Sequence, residues 1–352
     1  MGFASDVYSN GNYWYGLYQH VTGAKDSPGW SMAGIGTDFV GLMQPWGVAA
    51  GKALGATKFV EAAETPIIEA GLLALMGMSN ACGFAEPDQG QGFGLGSDAF
   101  QKIDEALSST GAPASWTGDA SGAYSGQNSV QQGRAKSLSE ADRKIQHVLE
   151  REAGQVKATR DALDHAATIL TAAIIPAVAA YAIEFPPGAG IALSTEIQIA
   201  AVAATVPYAT AQFGELGYHA TDNAREIEQI AQAYGLIGSE SAPAFSSADG
   251  QVTVTSADLQ RLSSQQDQIA EQLTAAGQTT NDTTQNVLVS HGMVCAPAGA
   301  AVAAAVSART TAAATMHSIS TDLAAKLSHG AANYTTTDQG QQNNLNGQVP
   351  PR

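Results

Sequence analysis

The clearest regularity along the chain is a stripe of apolar residues, Leu138, Ile145, Leu149, Val156, Leu163 and Leu170, at spacings of four and seven with charged positions between them. Spacing sustained in this way predicts a bundle helix many turns long. Before it, Ser97 or Asp98 is placed to cap a short amphipathic helix with Phe100, Ile103 and Leu107 on one side, stopped by Thr110-Gly111-Ala112-Pro113. A second amphipathic pair lies near the C-terminus. Thr255 three residues before Asp258 forms a capping-box pattern, and Leu259, Leu262, Ile269, Leu273 and Ala276 follow at three and four, interrupted only by Gln266. From about Ala298, Val302, Val306, Met316, Ile319, Leu323 and Leu327 share one face of another helix. Between these two, Gly292 permits a tight reversal.

Two stretches break the amphipathic rule. Ala166 to Ile183 and Ile197 to Phe213 are almost wholly apolar and are joined through Phe185-Pro186-Pro187-Gly188. Each arm is barely long enough to span a bilayer and contains a proline, Pro176 or Pro207. A membrane hairpin, a reversible membrane-touching hairpin and a packed helical hairpin all fit this pattern. The remaining segments read as connectors or unassigned. Residues 1–65 are an irregular, aromatic-rich extension, although Pro45 and Pro66 mark helix starts or kinks in the Ala- and Leu-rich run that follows Gly34. Cys82 to Gly96 reads as a glycine-rich connector, 238–251 as a linker and 339–352 as a disordered polar tail. The domains expected are therefore 66–237 and 252–338, with one helical hairpin in the first packed on the hairpin of the second.

Composition narrows the chemistry. Sixteen Lys and Arg against 32 Asp and Glu give a net charge of -16, which repels phosphate backbones and excludes nucleic acid as an expected partner. Seven of the basic residues fall on the long helix, matched there by carboxylates, and read as a solvated, self-balanced face. Counted from Gly92, the sixth position of a dinucleotide-type loop is Ser97, and no strand precedes it, so no phosphate-binding loop is expected. The seven His show no metal-ligand spacing and no Gly-x-Ser-x-Gly elbow occurs, so neither catalysis, metal nor cofactor is expected. Cys82 and Cys295 are read as two inert thiols or one long-range bridge. The first 25 residues show neither a general export signal nor a myristoylation site.

Two short motifs sit at the ends of the predicted hairpins: Trp116-Thr117-Gly118, between the short and long helices, and Tyr334-Thr335-Thr336-Thr337-Asp338, after the last apolar face. With them the chain, from about Ile67 to Ile230, resembles the EspA/EspE family of mycobacterial type VII secretion substrates, most clearly in Ser115 to Ala120 and Thr159 to Leu163. Val252 to Asp338, with Val252-Thr253-Val254, Ser290-His291-Gly292 and Cys295, resembles their small partners, the EspC/EspF family. The resemblance implies a fusion of two proteins usually made separately. It also implies an all-α, elongated four-helix bundle related to PE/PPE and ESAT-6-like proteins, with the apolar hairpin and N-terminal extension added. The implied function is a non-enzymatic type VII (ESX-type) substrate, exported folded, secreted or envelope-associated, with a role in virulence or secretion. Trp116, Gly118, Tyr334 and Asp338 would form its composite export signal, and the secretion ATPase and chaperone machinery would be its partners. Self-association and membrane contact stay open, and a membrane-inserting or pore-forming oligomer using the 166–213 hairpin is the alternative function.

Overall fold

The computed structural model describes residues 65–239 and 254–348; the expectations for residues 1–64, for most of the 238–251 linker and for 349–352 lie outside the described residues. The fold is all-α. Among the described residues no β-strand forms, and the helices run in the order α1 (Pro66–Ala81), α2 (Gln91–Ser109), α3 (Asp119–Tyr181), α4 (Ala189–Ser239), α5 (Ser256–Gln278), α6 (Thr283–His291) and α7 (Ala296–Gln348). A 3-10 turn, Met293–Cys295, separates the last two.

Local signals account for most of these boundaries. Pro66 starts α1, where its missing N–H costs nothing, and Glu69 N–H closes the first turn on the Thr65 carbonyl at 3.1 Å. Thr255 caps α5, its hydroxyl accepting from Asp258 N–H at 3.1 Å while that hydroxyl donates to the Asp258 carboxylate at 2.7 Å. The predicted stripe of α3 is buried from Leu138 through Leu170. So are the predicted apolar positions of α5, and those of α7 apart from the half-buried Val306.

Three expectations change. The connector read over Cys82–Gly96 ends at Gly90, which takes a left-handed φ of 73° as the N-cap of α2, and Gly92, Gly94 and Gly96 lie inside that helix. These glycines are there for close approach: a Cβ on Gly92 would strike the Thr283 hydroxyl and lie 2.7 Å from the Thr279 carbonyl, and one on Gly96 would strike Arg309 and Asp142. The entropic cost of helical glycine is offset by the packing it permits. The polar segment after Asp338 is not a tail throughout, since α7 continues to Gln348. It is rich in Gln, a fair helix former, and holds no proline before position 350. Finally, the charges of α3 are not all solvated, because Arg134, Asp142 and Glu152 are buried.

The chain divides into two compact units. One comprises the described residues up to Gln89 with Leu149–Arg225 and Gln285–Ala300. Its core joins Ile68, Leu75 and Met78 of α1 to Val156, Leu163 and Leu170 of α3, Phe213 and Leu216 of α4, and Val294. The other comprises Gly90–Val148, Glu226–Thr284 and the residues from Ala301 onward, with α2 packed along α5. Within this second unit the two hairpins expected to pair do meet, in a cluster of Trp116 and Tyr124 with Leu259 and Leu262 of α5 and Ile319, Leu323 and Leu327 of α7.

Candidate functional site

The chain between α2 and α3 is built by side chains that satisfy the open end of α2. Tyr124 OH donates to the Thr110 carbonyl at 2.7 Å and Asn128 Nδ2 to the Leu107 carbonyl at 2.8 Å, so carbonyls left over at the helix end find partners on α3. Gln266 on α5 donates to Tyr124 OH at 3.2 Å. That contact explains why a glutamine interrupts the apolar stripe of α5: it is buried, and its amide is used. Burial raises the Tyr124 phenol, against these hydrogen bonds, so it stays a neutral donor.

Trp116 then turns inward. Its backbone N–H donates to the Pro113 carbonyl at 2.8 Å, its ring lies 5.3 Å from that of Tyr124 at 33°, and only 7% of it is exposed. The indole Nε1 is buried and has no hydrogen-bond partner among the described residues. Gly118 has a φ of 106°, which a side chain would resist, and its carbonyl accepts from Ser121 and Gly122 N–H to open α3. On α7, Tyr334 is half-buried and packs on the same cluster as Trp116, while Asp338, one turn further on, is exposed. The structure thus brings Trp116 and Tyr334 to one cluster, with Gly118 in the turn two residues after Trp116 and Asp338 exposed on the continuation of α7. A second Trp-x-Gly triplet, Trp14-Tyr15-Gly16, lies outside the described residues.

Sequence reasoning missed a buried ionic network in the same unit. Arg309 Nε donates to both carboxylate oxygens of Asp142 at 2.8 and 2.9 Å, and Tyr234 OH donates to Asp142 at 2.6 Å. Nη1 reaches the Gly277 carbonyl and Nη2 the Ala276 carbonyl at the C-terminal end of α5, with Thr280 and Thr279 hydroxyls completing the set. The guanidinium carbon stands 4.9 Å from the Phe100 ring centre. Burial raises the Asp142 carboxyl while Arg309 pulls it back; burial and then the Asp142 charge hold the Tyr234 phenol protonated as donor. The only advance signal of this arrangement was the run of helical glycines at 92, 94 and 96.

In the other unit, the end of α6 at Ser290-His291, with Gly292 after it, and Cys82 lie side by side. Gly292, at a φ of 76°, fits so closely that a Cβ would strike Gly83 N and the Ala81 carbonyl. Arg160 donates through Nη2 to the carbonyls of Cys82 at 2.8 Å and Ser290 at 2.5 Å. His291 is fully buried, its Nδ1 3.4 Å from the buried Glu152 carboxylate and its Nε2 2.9 Å from the Asp88 carbonyl. Cys82 and Cys295 are both buried free thiols. Burial pushes Cys82 up to about 12, and burial with the neighbouring Glu152 carboxylate pushes Cys295 well above its ordinary value.

Comparison with known proteins places these features in a family context. Residues 82–165 match the EspA/EspE family, and residues 248–347 match the excreted virulence factor EspC of diderm type VII ESX systems. Over 183 residues, 52% of this chain, the sequence is 33% identical to the ESX-1 secretion-associated protein EspE of Mycolicibacterium smegmatis. The chain spans 34% of the length of that relative. No solved structure matches. The chain thus carries an EspA/EspE-like segment followed by an EspC-like segment.

Proposed function

We propose that this protein is a non-enzymatic substrate of a type VII secretion system, exported folded, whose composite export signal is Trp116 and Gly118 together with Tyr334 and Asp338. The observation that carries the reading is the shared cluster: Trp116 comes from the EspA/EspE-like segment and Tyr334 from the EspC-like segment, and both pack on the same apolar residues. Trp116 shapes and stiffens the end of the cluster from within, since its ring is buried. Tyr334 and Asp338 offer the exposed part of the surface to the secretion ATPase or a chaperone. The finished protein acts at the cell envelope or outside the cell through its helical surfaces, in virulence or in secretion itself. The test is the level of protein in the culture filtrate of a mycobacterial host with an intact system. Trp116→Ala and Tyr334→Ala should accumulate inside the cell, and export of both at the wild-type level overturns the assignment. Trp14→Ala serves as the control for the other Trp-x-Gly triplet.

A second reading, a membrane-inserting or pore-forming effector, is favoured by one observation: the arms of the α3–α4 hairpin turn Ile175, Phe185, Ile191 and Ile199 to the outside. Release of a trapped dye from lipid vesicles tests it, and vesicles that stay sealed at saturating protein rule out pore formation.

A further inference from the structure

The apolar arms run from Ala166 to the end of α3 and from the start of α4 to Phe213. Across residues 166–213, the connection included, there is no Lys, Arg or His, and the only carboxylates are Glu184 and Glu196, both exposed. Ile169, Ile175, Ile183, Phe185, Ile191 and Ile199 are all exposed, Ile175 at 76% and Phe185 at 84%. Of the most apolar 18-residue stretch in each of these two helices, only 22% is buried. At 1.5 Å per residue such a stretch is about 27 Å long, close to the roughly 30 Å hydrocarbon core of a bilayer. A soluble monomer rarely leaves so continuous an aliphatic face in water.

The threonine hydroxyls of the arms are already satisfied in a way that suits hydrocarbon. Thr168, Thr171, Thr195, Thr205 and Thr210 each donate to the carbonyl four residues earlier in their own helix. Gln198 donates to the Ser194 hydroxyl and accepts from Ile67 N–H. Inside the hairpin, Ala177, Ala180 and Ala209 are buried, Leu170 and Phe213 share their cluster with Ile174, Ile197, Val202 and Val206 packed against it, and Gly190 is seated against the carbonyls of Ala180 and Ile183. Close packing through small residues with self-bonded hydroxyls is what helix pairs in lipid use. A protein partner would call instead for Arg anchors and a charged polar rim, and residues 166–213 hold no Arg, Lys or His. The carboxylates at 184 and 196 and the net charge of -16 disfavour anionic headgroups.

Resting on the membrane reading given above, we propose that the outer face of the α3–α4 hairpin, centred on Ile175, Phe185, Ile191 and Ile199, is a lipid-docking surface that enters the hydrocarbon of a zwitterionic bilayer. The test is flotation of the full-length protein with phosphatidylcholine vesicles and, separately, with phosphatidylglycerol vesicles at neutral pH. Wild-type protein should rise with phosphatidylcholine and rise less with phosphatidylglycerol. The double variant I175E/I199E should stay at the bottom with an unchanged helical circular dichroism spectrum, while L236E and L345E, at exposed leucines elsewhere, should rise like the wild type. Equal flotation of I175E/I199E overturns the assignment of this face yet leaves membrane contact standing. No flotation of the wild type with either lipid overturns both. Flotation without dye release keeps the docking surface and removes only the pore. Light scattering without lipid covers the remaining occupant: a wild-type oligomer that I175E/I199E converts to monomer, with no flotation of either, gives the face to a second copy and overturns the proposal.

Discussion

The apolar arms of the α3–α4 hairpin and the C-terminal helix α7 are both long and apolar enough to cross a membrane, yet they are used differently. In α7 the most apolar 18-residue stretch is 44% buried; in each arm of the hairpin it is 22%. Hydropathy is therefore a poor guide to burial here. What separates the two is what lies opposite. Along α7 the apolar positions Ile319, Leu323 and Leu327 recur at four and meet Leu259, Leu262 and Trp116. The hairpin arms bury Leu170, Ala177, Ala209 and Phe213 but leave Ile175, Ile191 and Ile199 outside, where the described residues place nothing over them.

That contrast can be broken most sharply at the charged centre of the α7 unit. Arg309→Ala leaves Asp142 buried without its counter-ion and removes the guanidinium donors to the Ala276 and Gly277 carbonyls, so chemical denaturation should show a loss of about 3–5 kcal/mol. Lysine at 309 should rescue little, because it cannot make the fork of contacts that the guanidinium makes. Leu323→Ala removes a buried side chain and should cost about 2–5 kcal/mol. The matched change on the hairpin, Ile175→Ala, should stay within about 0.5 kcal/mol, and a cost near that of Leu323→Ala would mean that the arm is covered in solution. Thr255→Ala, which removes the α5 cap, should cost about 1 kcal/mol by thermal melting. The smallest effect concerns the thiols. With Cys82 pushed up to about 12 and both cysteines buried, iodoacetamide at pH 8 should leave the folded protein unlabelled by mass spectrometry and label both sites once it is unfolded.

The helical stripes were legible in the sequence because they are local: the α3 positions 138 to 170 and the α5 positions 259 to 276 need only a helical period to be assigned a buried side. The same holds for the cap at Thr255 and the turn at Gly292. The buried charges were not legible. Asp142 and Arg309 are 167 residues apart, and nothing in the neighbourhood of either marks it as a core residue rather than one of a balanced surface set. The glycines of α2 were read as flexibility for the same reason, because the groups they make room for come from α3, α6, α7 and the residues just past the end of α5. Of the candidate signal, the proximity of Trp116 and Tyr334 to one cluster followed from pairing the two predicted hairpins. The depth of Trp116 within that cluster needed coordinates.

The export signal proposed above requires that the secretion machinery read the end of α7 on a folded protein. Asp338 is the residue with which to test it, since it is exposed and its loss leaves the core untouched. The decisive measurement is the culture-filtrate level of Asp338→Ala beside Gln341→Ala, an exposed neighbour on the same helix, with thermal melting of both purified proteins. The account predicts that Asp338→Ala stays in the cell while melting like the wild type and that Gln341→Ala is exported. Normal export of Asp338→Ala would contradict it.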